Sequence, residues 1–196
     1  MHHAFLLPVG LQMSEPFADT RLPPAAPSAW VVRWSHLIVH KGTVLDVACG
    51  AGRHARYFAQ RGHPVKAVDR DAGALAALAG WSGVEPVRAD IEEGTWPYTG
   101  ETFAAIVVTN YLYRPLLPIL VDAVAPGGIL IYETFAQGNE RFGRPSNPAF
   151  LLRPGELLQA VRGKLRVIAY EDLQVDGPKP AMVQRICAQC QANDAA

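Results

Sequence analysis

The first half of the chain repeats one pattern three times: a short apolar segment that carries an aspartate at its end and then a turn. These segments are VLDV with Asp46, VKAVD with Asp69 and VEPVRAD with Asp90. Strands that alternate with helices predict βα units, whose right-handed crossovers give a parallel sheet covered on both faces. Because parallel strands end at one edge of a sheet, the pattern predicts three carboxylates beside one ligand site.

The remaining elements complete a seven-stranded sheet. A helix is predicted from its N-cap Ser28 to about Val39, and the apolar runs FAAIVVTN and GGILIYETF read as further strands. The last two strands, near 165–170 and 182–190, have no helix between them, so they are expected to form an antiparallel hairpin. The predicted fold class is therefore α/β: doubly wound, mainly parallel, with seven strands and an antiparallel last strand.

One domain accounts for the length. With 196 residues, 49% of them hydrophobic, the chain can bury one sizeable core. We expect an irregular N-terminal arm over 1–27, a single domain over 28–190 and a disordered tail over 191–196. Met13 is a plausible alternative start, which leaves open whether residues 1–12 are translated. The segment between 136 and 154 is predicted to be a long loop.

Charge and cysteine content narrow the function classes. Eighteen basic residues balance eighteen acidic ones, so no overall field favours nucleic acid or an anionic membrane, and no run is long enough to span a bilayer. A cytoplasmic location is expected. Cys187 and Cys190 form a CxxC within a predicted strand, where they point to opposite faces, so no metal site is predicted.

The turn after the first strand, ACGAG, is the strongest ligand signal. Its small residues permit close approach to backbone, and Asp46 beside it disfavours a pyrophosphate and favours a cationic ligand. The segment GAGRHA also satisfies G-x-G-x-x-[GA], with Asp69 at a suitable distance. An NAD(P)-binding oxidoreductase is therefore an alternative, which Asp90 and the absence of a second domain disfavour.

Taken together, VLDVACGAG, AVDRD, RADIEE, FAAIVVTN and VAPGGIL resemble the class I S-adenosylmethionine-dependent methyltransferases over about residues 28–190. One departure is Ala48, which stands where many members have the first glycine. The loop and the FLLRPGEL segment are distantly similar to the tellurite-resistance methyltransferase group. This resemblance implies S-adenosylmethionine as cofactor and a small-molecule acceptor, and a non-catalytic domain that binds the cofactor is a further alternative.

The resemblance also implies roles for the strand ends. Asp69 would bind the ribose hydroxyls and Asp90 the adenine, since a carboxylate can accept two hydrogen bonds from a diol. The implied cofactor-binding residues are Asp46, Ala48, Gly50, Gly52, Asp69, Arg70, Asp90, Ile91 and Asn110.

The acceptor side is less defined by the sequence. Candidate substrate residues are Arg33, Tyr111, Tyr113, Arg114, Arg141 and Arg144, and candidate general bases are His54, His36, Glu133 and Tyr111. In-line attack on a sulfonium methyl needs mainly alignment of the nucleophile, so a base is optional. The sequence does not define the acceptor, the atom methylated or the oligomeric state.

Overall fold

The computed structural model describes residues 25–177 and 179–192 and forms one seven-stranded sheet in the order β3-β2-β1-β4-β5-β7-β6. Pairing is parallel from β3 through β5 and antiparallel between β5, β7 and β6. The predicted fold class is confirmed. The strands are β1 (Val44–Val47), β2 (Val65–Asp69), β3 (Val84–Arg88), β4 (Phe103–Thr109), β5 (Val124–Phe135), β6 (Arg166–Val175) and β7 (Ala181–Gln189).

Five short helices cover the sheet: α1 (Ala29–Trp34), α2 (Arg53–Ala59), α3 (Ala72–Leu75), α4 (Leu117–Asp122) and α5 (Glu156–Val161). The first is shorter than predicted, because the chain tightens into a 3-10 turn over Ser35–Leu37. Ser28 is its N-cap, as predicted, and its Oγ accepts a hydrogen bond from the Trp30 backbone N–H at 3.1 Å.

Two strands are longer than their sequence patterns indicate. β5 begins at Val124 rather than near Gly127, since Val124 already pairs with Phe103 across a register shift. β6 continues to Val175 rather than ending near Tyr170, because its whole length pairs with β7. The polar residues of its second half sit on an exposed edge strand, which apolar patterning does not detect.

The core consists of two apolar layers, one on each face of the sheet. On the central strand β4, Ile106 and Val108 belong to one layer, whereas Ala105 and Val107 belong to the other. Cys187 lies in the second layer and Cys190 packs against the first, in keeping with their predicted opposite directions. A strand buried on both faces carries continuous apolar sequence, which explains the run FAAIVV.

The predicted long loop is irregular but firmly attached. Between β5 and α5 it forms 3-10 turns over Asn139–Arg141 and Pro148–Phe150, and Ala136 bridges to Leu152. Residues 1–24 of the predicted arm, including Met13, and residues 193–196 of the predicted tail lie outside the described residues. No helix among the described residues is both long enough and apolar enough to cross a membrane.

Candidate active site at the carboxyl ends of the strands

Two cavities lie side by side at the carboxyl ends of the parallel strands. The first, of about 430 Å³, lies over β2, β3 and the ends of β4 and β5. The second, of about 590 Å³, lies over the turn between β1 and α2. Ala48 and Asn110 line both cavities. An elongated ligand could therefore pass from one to the other along these two residues.

Both shared residues have an unusual backbone conformation. Ala48 has φ +51° and Asn110 has φ +56°, a left-handed region that side chains rarely adopt. The Asn110 backbone N–H donates to the Glu133 carbonyl at 2.9 Å, which fixes the end of β4 beside β5. Backbone strain of this kind concentrates at ligand sites, where the surrounding structure maintains it.

The two glycines predicted to bind the cofactor have different roles. Gly50 has φ +53° and faces the second cavity, and a Cβ there would meet nothing within 4 Å. Gly52 has φ +74°, and a Cβ there would overlap the side chain of Leu78. The expectation for Gly52 is therefore corrected: its missing side chain lets α2 pack on the core, and it is not among the described residues that line either cavity.

Asp46 lies beneath the turn rather than beside a ligand. Its side chain is 1% exposed, and its Oδ2 accepts a hydrogen bond from the Ala55 backbone N–H in α2 at 2.9 Å. Burial raises the pKa of its carboxyl group to about 7, against the opposing effects of the Ala55 bond and the Arg53 charge. The prediction that Asp46 faces the ligand is thus not met, since it supports the turn from below.

Asp69 is placed at the mouth of the first cavity. Its Oδ2 accepts from the Gly50 N–H at 2.8 Å and its Oδ1 from the Asp71 N–H at 2.9 Å. The carboxylate thereby joins the end of β2 to the turn after β1. Each oxygen retains a second lone pair, which can accept a ligand hydroxyl.

Asp90 and the residues next to it form the far wall of the same cavity. The Asp90 Oδ1 accepts from the backbone N–H groups of Glu92 at 2.9 Å and Glu93 at 3.2 Å. These two bonds, and then the nearby Arg70 charge, lower the pKa of the Asp90 carboxyl. Arg70 and Ile91 line the cavity with it. The Asp90 carboxylate can therefore accept hydrogen bonds from a ligand in this cavity.

The second cavity contains residues that sequence reasoning did not single out: Arg53, Arg56, Trp81 and Thr109. The Arg53 Nη2 donates to the Thr109 Oγ1 at 3.3 Å, and the Arg56 guanidinium stacks 5.8 Å from the Trp81 ring centre. Arg53 begins α2 immediately after the small-residue turn that follows β1, and Thr109 ends β4 just before Asn110. These positions in the sequence could have identified both residues.

His54 lines the second cavity, and both of its ring nitrogens face groups of the protein. Its Nε2 accepts a hydrogen bond from the Ser28 backbone N–H at 3.0 Å, so the ring proton is on Nδ1, which lies 3.5 Å from the Thr109 Oγ1. Burial, and then the Arg53 charge, lower the pKa of His54 to about 3. The predicted role of His54 as a base stays a prediction, and the Ser28 bond to its basic nitrogen disfavours it.

Glu133 and His36, the other predicted bases of this group, are also in contact with protein groups away from the two cavities. Glu133 accepts a hydrogen bond from the hydroxyl of Ser28, the N-cap of α1, at 2.7 Å. It also pairs with the Arg185 guanidinium in β7 at 3.0 Å. His36 is exposed and contacts the Arg33 carbonyl at 2.9 Å. Arg33 itself stacks on Trp34 and pairs with Glu171. None of these three predicted residues is among the described residues that line the two cavities.

Of the predicted substrate residues, Tyr111 lines the first cavity and the others do not. Tyr113 donates its hydroxyl to the Glu92 carbonyl at 3.0 Å, and Arg114 forms a bidentate pair with Glu156. Arg141 bonds to its own loop, and Arg144 is exposed just before Pro145. The residues that line this cavity without having been predicted from the sequence are Ala89, Glu92, Leu112, Thr134, Phe135, Pro145 and Phe150. The fold of the loop brings Pro145 and Phe150 there.

Residues 44–128 match the family model described as a methyltransferase domain, which covers β1 to the start of β5. No curated protein matches the chain. Several solved structures share its fold. TehB from Haemophilus influenzae is 17% identical with a TM-score of 0.68, and the match covers 83% of this chain and 61% of TehB. The chain thus spans less than two thirds of that relative.

Two further structures match over more of their own length. A TehB-like S-adenosylmethionine-dependent methyltransferase from Corynebacterium glutamicum is 18% identical with a TM-score of 0.61, over 83% of this chain and 87% of that one. The N-methyltransferase NodS from Bradyrhizobium japonicum is 18% identical with a TM-score of 0.62, over 82% and 93%. At these identities the likeness concerns the fold.

Residues 44–128 thus match a methyltransferase domain, and the described chain has the fold of the class I S-adenosylmethionine-dependent methyltransferases. The predicted resemblance to this class is confirmed, and the NAD(P)-binding alternative is set aside by the family match. The three carboxylates predicted at successive strand ends are present, although only Asp69 and Asp90 line the first cavity.

Proposed function

We propose that this methyltransferase transfers the methyl group of S-adenosylmethionine to a small-molecule acceptor by in-line displacement. The observation that carries the proposal is the pair of cavities that meet at Ala48 and Asn110. Three carboxylates and one arginine line the first cavity, whereas two arginines and no carboxylate line the second among the described residues. A cofactor with a diol and an adenine at one end and an amino acid at the other matches this division of charge.

Within this proposal the adenosine part occupies the first cavity. Asp69 accepts hydrogen bonds from the ribose hydroxyls, and Asp90 with the Ile91 backbone contacts the adenine. Arg70 lies along the same wall and can stack on the adenine face. The support is that these four residues line one cavity, with the carboxylates at neighbouring strand ends.

The methionine part would occupy the second cavity. Because Gly50 has no side chain, a ligand can lie directly against its backbone. A Cβ at this position would occupy the same open space. The Arg53 guanidinium would pair with the carboxylate of the cofactor, since it lines this cavity close to Thr109. The residues present therefore fit the group on chemistry and on space.

Bound in this way, the cofactor supplies an electrophilic methyl group and a neutral leaving group. The task of the protein is to hold a nucleophile about 3 to 3.5 Å from that methyl and in line with it. Asn110 lines both cavities, and Tyr111 and Thr134 line the first with it. Because His54, His36 and Glu133 contact other protein groups, alignment of the nucleophile is the proposed main source of rate.

A small acceptor fits the acceptor side of the first cavity, which is enclosed by Phe135, Pro145 and Phe150. Structural neighbours with small acceptors support this assignment. Coclaurine N-methyltransferase, 19% identical with a TM-score of 0.58 over 74% of this chain and 50% of that one, was solved with N-methylheliamine and S-adenosylhomocysteine.

Calorimetry with S-adenosylmethionine, S-adenosylhomocysteine and NAD tests the cofactor assignment. We expect both adenosyl compounds to bind, and the Asp69→Ala variant to bind them 10- to 100-fold more weakly, or roughly 1.4 to 3 kcal/mol, as loss of charge-assisted hydrogen bonds requires. Glu93→Ala is the matched control, because Glu93 is an exposed carboxylate nearby.

Three outcomes would contradict the proposal: binding of NAD alone, unchanged affinity in Asp69→Ala, or an equal loss in Glu93→Ala. Thermal melting of each variant checks that it folds. Binding without turnover on any class of acceptor would favour the non-catalytic alternative.

A further inference from the structure

The acceptor side of the first cavity is aromatic and carries negative charge. Three aromatic residues, Tyr111, Phe135 and Phe150, line it. Glu92 lines the same cavity, in addition to Asp69 and Asp90. Among the described residues that line it, Arg70 is the one cation. Aromatic faces and carboxylates both attract a cationic group and repel an anionic one.

The Tyr111 hydroxyl lies next to the Glu92 carboxylate but has no hydrogen-bond partner within 3.5 Å among the described residues. Its oxygen is buried. The main chain on either side is fixed, because the Tyr132 hydroxyl donates to the Tyr111 carbonyl at 2.8 Å. Burial raises the pKa of the Tyr111 phenol, and the Glu92 carboxylate raises it further through its charge and its position next to the hydroxyl, which keeps the phenol neutral. A buried hydroxyl without a partner is satisfied when a ligand supplies one.

Two arginines near the first cavity, Arg114 and Arg141, are directed elsewhere. Arg114 donates to both carboxylate oxygens of Glu156, at 2.7 and 3.0 Å, and to the carbonyls of Ala149 and Leu151. Arg141 donates to the Gly138 carbonyl. A carboxylate or an oxyanion in the first cavity would therefore meet Glu92 without a compensating cation from the loop.

We propose that the methyl acceptor is an organic amine with an apolar or aromatic body, its nitrogen held between the Tyr111 hydroxyl and the Glu92 carboxylate. This inference rests on the proposed methyltransferase function and narrows its substrate class. The body of the acceptor packs on Phe135 and Phe150. A protonated amine has enough donors to reach both polar groups at once.

Methylation of such an amine requires the loss of one proton before its nitrogen attacks. The ammonium proton passes to the Glu92 carboxylate, which leaves a neutral amine with a free lone pair. That lone pair forms the new N–C bond while the C–S bond breaks, and the electron pair of the C–S bond remains on the sulfur of the thioether product. The methylated product leaves as an ammonium ion, and Glu92 releases its proton to solvent.

A series of probes with one hydrocarbon body and different head groups tests the proposal. The probes are 2-phenylethylamine, 2-phenylethanol, 2-phenylethanethiol and 3-phenylpropanoate, titrated by calorimetry into protein saturated with S-adenosylhomocysteine. We expect the amine to bind at least about tenfold more tightly than the carboxylate, since cation–π contact and a charged hydrogen bond favour it. With S-adenosylmethionine, mass spectrometry should detect methylation of the amine. Tighter binding or faster methylation of the thiol or the carboxylate would overturn the proposal.

Two variants locate the nitrogen. Glu92→Gln and Tyr111→Phe are each expected to weaken amine binding by about five- to thirtyfold and to leave the affinity for S-adenosylhomocysteine unchanged. Glu93→Gln is the control, because it removes a neighbouring carboxylate that is exposed. Equal amine affinity in Glu92→Gln and Glu93→Gln would overturn the inference.

Binding of S-adenosylhomocysteine separates the assignment of the acceptor from the proposed methyltransferase function. Loss of S-adenosylhomocysteine binding in Glu92→Gln would assign Glu92 to the cofactor and overturn the acceptor assignment alone. Failure of the wild-type protein to bind S-adenosylhomocysteine would overturn the proposed function itself.

Discussion

At the scale of the residue, surroundings rather than residue type decide function. Gly50 and Gly52 both have a left-handed backbone in one five-residue turn. Beside Gly50 there is open space, whereas beside Gly52 lies the side chain of Leu78. The motif ACGAG predicts that small residues are needed, but it does not predict which glycine serves the ligand, since Leu78 is distant in sequence.

These different surroundings predict different effects of one substitution. Gly52→Ala should destabilise the protein by roughly 2 to 4 kcal/mol, from backbone strain and overlap with Leu78. Gly50→Ala should cost about 1 to 2 kcal/mol from strain alone, yet weaken S-adenosylhomocysteine binding, because its Cβ enters the second cavity. Urea denaturation and calorimetry on both variants measure the two effects. Equal stability losses, or unchanged cofactor affinity in Gly50→Ala, would contradict this account.

The surroundings of the candidate bases also depend on residues that are distant in sequence. Histidine and glutamate have suitable chemistry, which is why the sequence suggested His54 and Glu133. Ser28, 26 residues before His54 and 105 before Glu133, donates a hydrogen bond to each of them. A contact over such a separation has no local pattern. Tyr111 was distinguishable because it directly follows Asn110 at the end of a recognisable strand.

At the scale of the element, the loop after β5 is held in place as a cavity wall. Arg114 begins the 3-10 turn before α4 and connects it to α5 through Glu156. It also donates to the Ala149 carbonyl at 2.7 Å and to the Leu151 carbonyl at 2.9 Å, one on each side of Phe150. Phe150 is 52% exposed but lines the first cavity, so these bonds set its position.

Breaking this connection should affect the acceptor more than the cofactor. Glu156→Gln removes the charge from a partly buried bidentate pair, and we expect a loss of about 1 to 2 kcal/mol in stability. The KM for the acceptor should rise, with cofactor affinity unchanged. Hydrogen exchange at the Phe150 and Leu151 amides should become faster.

An exposed ion pair provides the matched control for Glu156→Gln. Lys164 and Asp122 form a pair in which both side chains are about half exposed, so Asp122→Asn should change stability by less than about 1 kcal/mol and leave the exchange at Phe150 unaltered. If both variants behave alike, the Arg114–Glu156 pair does not position the wall.

At the scale of the whole molecule, the order and direction of the strands were predictable. Alternation of βα units determines the parallel part, and a connection too short for a crossover determines the antiparallel hairpin. The loop walls were not predictable, because Pro145 and Phe150 reach the cavity through contacts with β7 and with Arg114. The Asn139 side chain, for example, donates to the Pro145 carbonyl and accepts from the Met182 backbone N–H.

Two buried titratable groups give the whole molecule opposing pH dependences. The pKa of Asp46 is raised to about 7 by burial, so its contribution to stability is present below the unfolded pKa near 4 and is lost as the pH rises to 7. The pKa of His54 is lowered to about 3, also by burial, so its contribution is lost as the pH falls from about 6.5 to 3. Between pH 4 and 6.5 the two slopes oppose each other.

Asp46→Asn should separate these two effects, because an asparagine oxygen can still accept the Ala55 bond but does not titrate. The free energy of unfolding of the variant relative to wild type should rise from pH 4 to pH 7, by up to about 4 kcal/mol for a shift of three pKa units. The variant should then show the slope of His54 alone, with stability increasing from pH 4 to 6.5. Urea denaturation at half-unit pH intervals measures both curves, and Asp176→Asn, at an exposed position, is the control with no expected change of slope. A constant difference between Asp46→Asn and wild type over this range would show that Asp46 is not held neutral beneath the turn.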